Sequence, residues 1–280
     1  MSFSKFDKIS SLLISMRFKT TPLGVLCVFV GGLVAGAPYN SYNLFLAMLA
    51  TFFIGSGSMA FNDYFDWKID KINHPERPIP LGILKPKEML YFSILLFAIG
   101  IAFSFFINVI CLAIAIFSLF VLVLYEKVTK NAGVYGNITV AFASAISFTF
   151  GGAAVNNPLS SMILSLLAFF IMVSREIIMD IRDSEGDKLF RKTLPIQIGK
   201  KPALHVATFF LILAIILSPI PYFSYILNEW YLVAIIPVDL IAIYAVIRTY
   251  TDIQNAGKAA SLIRVALAIG IVAFVLGAIT

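Results

Sequence analysis

Charge is what this sequence has least of. Asp, Glu, Lys and Arg together make up 13% of its 280 residues, about half the share usual in a soluble domain. Cysteine and histidine occur only twice each. Cys27 and Cys111 both lie inside apolar runs, where the residue behaves as a small hydrophobe, so neither a disulfide framework nor a thiolate zinc site is expected. His74 reads as a surface-loop residue and His205 as an interhelical contact, because neither has a second histidine at ligand spacing. The basic residues are dispersed among apolar runs, which argues against a nucleic-acid partner. The N-terminus also lacks a convincing signal peptide: SLLISM is too short for an h-region, and no small-residue cleavage site follows it.

What fills the chain instead is hydrocarbon. Apolar residues make up 60% of it, and the mean hydropathy is +0.94. Runs long enough to cross a bilayer recur nine times, at about 20–38, 42–66, 87–106, 108–126, 134–153, 159–182, 202–222, 230–250 and 260–279. Only Ile107 and Asn108 separate the third from the fourth. Upstream, Phe3, Phe6, Ile9, Leu13 and Met16 recur at helical spacing among Lys5, Asp7 and Lys8. Residues 1–18 are therefore either an amphipathic helix lying in the membrane interface or a short structured leader.

With nine spans, the N-terminal segment and every second loop share one side. That side holds all 21 Lys and Arg, counting those a turn or two inside helix ends, while the opposite loops hold only Glu229 as a charge. The positive-inside rule places the basic side in the cytoplasm. A net charge of +6 on that face draws anionic lipid heads and phosphate groups.

The acids are not scattered. In FNDYFDWKIDKINHPERPIP (residues 61–80), Asn62, Asp63, Asp66 and Asp70 occupy a sector of about 100° if the helix of the second run continues. After the sixth run, Glu176, Asp180, Asp183 and Asp187 fall within about 60° of one face, although Gly186 can end that helix early. Arg182, Lys188, Arg191 and Lys192 are interleaved with them. Carboxylates this close to hydrocarbon are costly and mark a site. Oxygen ligands gathered on one face suit a hard divalent cation. Asp239, in mid-run eight, must pair or face a cavity. The two patches close the second and sixth runs, four runs apart, which hints at a repeated four-helix unit.

At these residues the sequence resembles the UbiA superfamily of intramembrane prenyltransferases. Asn62-Asp63-x-x-Asp66-x-x-x-Asp70 matches that family's first aspartate motif, and Asp183-x-x-x-Asp187 matches its second. Pro80-Leu81-Gly82 matches the Pro-x-Gly that follows the first motif. The resemblance covers nearly the whole chain. It implies an all-α bundle of nine transmembrane helices, one integral-membrane domain over 1–280. A central cavity would open to the cytoplasm and to lipid, with active-site loops at 61–87 and 182–201.

It also implies a prenyl diphosphate donor and two Mg²⁺ ions held by Asn62, Asp66, Asp70, Asp183 and Asp187, which serve as catalytic and metal-binding residues. Arg77, Lys130, Tyr125, Lys188, Asp63 and Asp180 would contact substrate. Arg17 and Lys19 would either hold an acceptor phosphate or anchor the first span. Within the family, INHPERPIP and REIIMDIRDSEGDK are most similar to members that pass a geranylgeranyl group to geranylgeranylglyceryl phosphate in archaeal ether-lipid synthesis. The acceptor would then be a lipid phosphate. An aromatic quinone precursor, a haem or a chlorophyllide would meet the same metal site. A secondary transporter, the reading from another class, would place its ionisable residues near mid-membrane. The D-x-x-D-G-x-x-A-R signature of CDP-alcohol phosphotransferases is absent, since Trp67 and Ser184 follow the two D-x-x-D pairs.

Overall fold

The computed structural model describes residues 5–18, 21–188 and 191–279. The expectations for Phe3, Lys19 and the side chain of Phe6 lie outside the described residues. Twelve α-helices follow in order: α1 (Lys5–Ser15), α2 (Thr21–Val34), α3 (Tyr42–Asn73), α4 (Pro86–Phe105), α5 (Val109–Lys127), α6 (Val134–Ala154), α7 (Pro158–Asp187), α8 (Leu194–Ile198), α9 (Lys200–Leu217), α10 (Ile220–Phe223), α11 (Glu229–Thr251) and α12 (Ala256–Ala278). No strand occurs among the described residues.

Among the described residues, eight helices are long and apolar enough to cross a membrane. The run expected at 20–38 forms instead the 14-residue helix α2, about 21 Å long against a hydrocarbon core of about 30 Å. Its C-terminus is set by glycine. Gly36 takes a φ of 89°, and the Ala37 amide returns to the Gly32 carbonyl at 2.9 Å, a left-handed turn that closes the helix early.

Asn108, one of two residues between the third and fourth runs, separates them by a specific contact. Its side chain caps α5 by accepting from the Cys111 amide at 2.8 Å, while its amide donates to the Ala153 carbonyl, also at 2.8 Å. Two helices outrun the expected ends. α3 continues to Asn73 and α7 continues through Gly186 to Asp187, which carries each acidic motif out on a rigid helical extension.

Small residues bring the helices together where lipid supplies no hydrophobic drive. A Cβ on Gly31 would fall 2.0 Å from the Phe148 carbonyl oxygen, and one on Gly151 would fall 1.9 Å from that of Val28. The backbones of α2 and α6 therefore touch. Most large exposed side chains are apolar, such as Phe45, Phe105, Phe120 and Leu240, as lipid-facing positions require. α1 docks through Leu12 on a cluster of Ala60, Ile79, Leu84 and Met89, and Lys8 pairs with Glu88 at 2.6 Å. Its Ile9, Leu13 and Ile14 stay exposed.

Gly151→Leu is expected to separate α2 from α6 at a cost above about 3 kcal/mol. A monodisperse variant melting within a degree or two of the wild type in detergent would refute that close packing.

Candidate active site

α3 ends in three buried carboxylates, Asp63, Asp66 and Asp70. Burial of charge without a partner is prohibitive, and each has one. Arg17 donates to Asp63 at 2.7 Å. Arg77 bridges Asp70 at 2.6 Å and Asp63 at 3.3 Å. Arg77 reaches back because its loop is pinned: Pro78 and Ile79 are buried, and Gly82 supplies a φ of 75° that glycine tolerates best. Lys130 donates to both oxygens of Asp66 at 2.8 Å and to Glu126 at 2.7 Å. The Asn62 amide joins the same group, donating to Glu126 at 2.8 Å and to Asp66 at 3.2 Å. The Lys130 side chain is only 8% exposed, and its ammonium lies 5.7 Å from the centre of the Tyr125 ring.

The second motif meets this group through Arg191. That guanidinium donates to Asp66 at 3.4 Å, and its backbone amide bonds the Asp187 carbonyl at 2.9 Å. Burial disfavours the Arg191 charge, yet the Asp66 and Asp187 carboxylates outweigh it and hold its pKa above the ordinary value. The neighbouring loops are tied as well. The Gly133 amide donates to the Lys192 carbonyl at 3.1 Å, and a Cβ on Gly133 would fall 2.7 Å from Gln197 Oε1. Two motifs more than a hundred residues apart thus face one cleft.

The other acids of α7 are held separately. Asp180, half-buried, accepts from Asn137 at 2.8 Å. Asp183 is engaged by both Arg182 nitrogens, at 2.5 and 2.6 Å, and is about half exposed. The structure places Lys188 away from the cleft, paired with Glu185 on an exposed face at 2.8 Å. The end of α7 turns it outward, and the chain returns to the acids at Arg191. Glu126 and Arg191 were not singled out from sequence. The signal for Glu126 was its i, i+4 spacing from Lys130 at the end of an apolar run.

Below the cleft lies a cavity of about 530 Å³. Arg17, Asn62, Tyr125 and Glu126 form its polar rim, its walls are largely apolar, and its far end reaches Ser218 and Asp239. Asp239, open in the sequence between pairing and lining a chamber, does both: it bonds the Ser218 hydroxyl at 2.8 Å. His205 stacks on Tyr250. The larger hollow of about 730 Å³ lies at the other end of the bundle, by Gly36 and Glu229, and touches none of the motif residues.

Among the described residues no three acidic, histidine or cysteine side chains converge as a ready metal site. Mg²⁺ commonly takes one or two carboxylates together with substrate phosphate oxygens and water. The hard oxygen donors of Asp66, Asp70 and Asp187 fit that partial role.

A family model described as the UbiA prenyltransferase family matches residues 24–270. The chain belongs to the UbiA prenyltransferase family. It is therefore a prenyltransferase and a multi-pass membrane protein, which sets aside the transport reading. The digeranylgeranylglyceryl phosphate synthase of Methanosarcina mazei is 40% identical over 83% of this chain and 81% of its own length. That of Methanopyrus kandleri is 37% identical over 90% and 93%. A solved digeranylgeranylglyceryl phosphate synthase superposes with a TM-score of 0.85 at 34% identity, covering 97% of this chain and 99% of that one. A UbiA homologue from Archaeoglobus fulgidus, solved with GPP and Mg²⁺, shares the fold at a TM-score of 0.66 and 19% identity.

Lys130→Met removes the cation paired with Glu126 and two bonds to Asp66, leaving Glu126 buried without its positive partner at a cost of about 3 kcal/mol. Thermal melting in detergent should show a clear fall that Lys130→Met/Glu126→Gln partly restores. Equal melting of the single and double variants would contradict the pairing.

Proposed function

We propose that this UbiA enzyme transfers a geranylgeranyl group from geranylgeranyl diphosphate to the hydroxyl of geranylgeranylglyceryl phosphate. The observation that carries this reading is the stacking of a charged cleft, spanned by Arg191, directly on an apolar chamber rimmed by Tyr125. A prenyl diphosphate has that same division, a polyanionic head on a long hydrocarbon tail. The choice of acceptor rests on the relatives at 34–40% identity that carry that enzyme name.

In this reading the allylic C–O bond to diphosphate breaks and an ether C–O bond to the acceptor forms. Arg77, Lys130 and Arg191 turn from their carboxylates toward the diphosphate oxygens and stabilise the negative charge that develops there. Asp63, Asp66 and Asp70, with Asp183 and Asp187 opposite, orient the head group. Two Mg²⁺ ions held by Asn62, Asp66, Asp70, Asp183 and Asp187 would neutralise the leaving group when bound. The apolar chamber excludes water from the allyl cation, and the Tyr125 ring offers a π-face at its rim, a contact worth about 0.5–2 kcal/mol. The proton of the acceptor hydroxyl passes to the released diphosphate.

All 280 residues would act as one unit in the cell membrane, with the charged cleft facing the cytoplasm under the positive-inside rule. The loops 61–87 and 182–201 would be its walls. α1 would lie in the interface through the exposed Ile9, Leu13 and Ile14.

Purified enzyme with Mg²⁺, radiolabelled geranylgeranyl diphosphate and a panel of acceptors should yield product with geranylgeranylglyceryl phosphate alone. Labelled product with an aromatic or tetrapyrrole acceptor instead would overturn the acceptor assignment. Asp66→Ala should lower turnover by at least about a thousandfold while the protein stays folded; wild-type rates would remove that residue from the site.

A further inference from the structure

A second group of cations stands on α7 and α12, one turn or more beyond the residues that line the cavity, and none of them pairs with Asp63, Asp66 or Asp70. On α7 the cavity wall includes Ile171 and Met172. One turn further along that face come Arg175 and Glu176. Arg175 is 9% exposed. Its Nη1 donates to Glu176 at 2.7 Å, but its buried Nε–H has no acceptor. A buried donor left unsatisfied is costly and rare.

On α12 the wall includes Leu267 and Gly270, and Arg264 sits one turn beyond Leu267. Arg264 is exposed and forms no hydrogen bond or ion pair among the described residues. Arg182 lays its stem along the same helix, since a Cβ on Gly257 would fall 3.2 Å from its Cδ. Arg182 and Arg264 are both within electrostatic reach of Arg175 and Glu176. Glu176 answers Arg175 and Asp183 answers Arg182, so one full positive charge and one buried N–H remain unanswered.

The geometry points to a second anion site, in which Arg175, Arg182 and Arg264 bind the phosphate monoester of the acceptor lipid. This rests on the prenyl-transfer reading above and adds to it. The donor diphosphate is met by Arg77, Lys130 and Arg191, the cations gathered around Asp66 and Asp70. The acceptor phosphate is met across the mouth by arginines of α7 and α12. Separate anchors at opposite walls hold the acceptor hydroxyl toward the allylic carbon while keeping two polyanions apart. They also select a phosphorylated acceptor over a neutral one, because three arginines left facing a bare alcohol gain nothing from it.

The test uses the full-length enzyme in detergent with Mg²⁺ and geranylgeranyl diphosphate, comparing geranylgeranylglyceryl phosphate with geranylgeranylglycerol. R264Q changes an exposed side chain, so folding should survive. It should raise KM for the phosphorylated acceptor about tenfold, the equivalent of one charge-assisted hydrogen bond. KM for the donor and the rate with the neutral alcohol should stay at wild-type values, and R264K should recover much of the loss. R175K, which keeps the charge but loses the Nε–H, should act in the same direction. An unchanged acceptor KM in R264Q, or equal losses on donor and acceptor, would overturn the site. Equilibrium binding of the phosphorylated lipid without donor, to wild type and R264Q, separates the two readings. If the wild type binds it tightly and R264Q weakly but no ether product forms, the prenyl-transfer reading fails and the anion site stands. Equal binding by both proteins would remove the site whatever the turnover.

Discussion

Everything at the mouth of the bundle follows from one constraint: carboxylates cannot be buried at the end of a membrane helix without positive charge close by. Asp63, Asp66 and Asp70 are buried on one helix, and the fold brings cations to them from four other segments. Arg17 comes from the turn after α1, Arg77 from the loop after α3, Lys130 from the link between α5 and α6, and Arg191 from beyond α7. Each cation ties down a different loop. The same contacts that compensate the acids therefore assemble the site.

Below the mouth the requirement reverses. The chamber walls come from α2, α3, α5, α6, α7, α11 and α12, and close approach of α2 to α6 at Gly31 and Gly151 sets one side of the bundle. A polar lid over an apolar chamber suits a substrate with both characters. Asp239 and Ser218 put a polar floor at the far end of the chamber.

Much of this was legible in the sequence, for identifiable reasons. Apolar runs report membrane helices because lipid tolerates little else, and all but one took form as helices long enough to span, two of them running past their expected ends. The exception, α2, stops early at Gly36, a conformational property of one residue that hydropathy does not register. The acids of α3 were readable because a continuing helix fixes their angular positions. Arg191 was not, because nearness in sequence favoured Lys188, one residue past Asp187, and only the turn at the end of α7 decides which cation faces inward. Glu126 was hidden likewise, since its partner Asn62 lies over sixty residues upstream.

The central claim is that both acidic helix ends grip one diphosphate. A non-ionisable thiolo analogue of geranylgeranyl diphosphate, titrated calorimetrically with Mg²⁺ into wild type, Asp66→Asn, Asp187→Asn and the double variant, tests it most directly. If both walls share one ligand, each single change weakens binding and the double variant loses measurably less than the two losses combined, the signature of coupled residues. Undiminished affinity in Asp187→Asn, or strictly additive losses, would mean that the two walls do not act on the same head group.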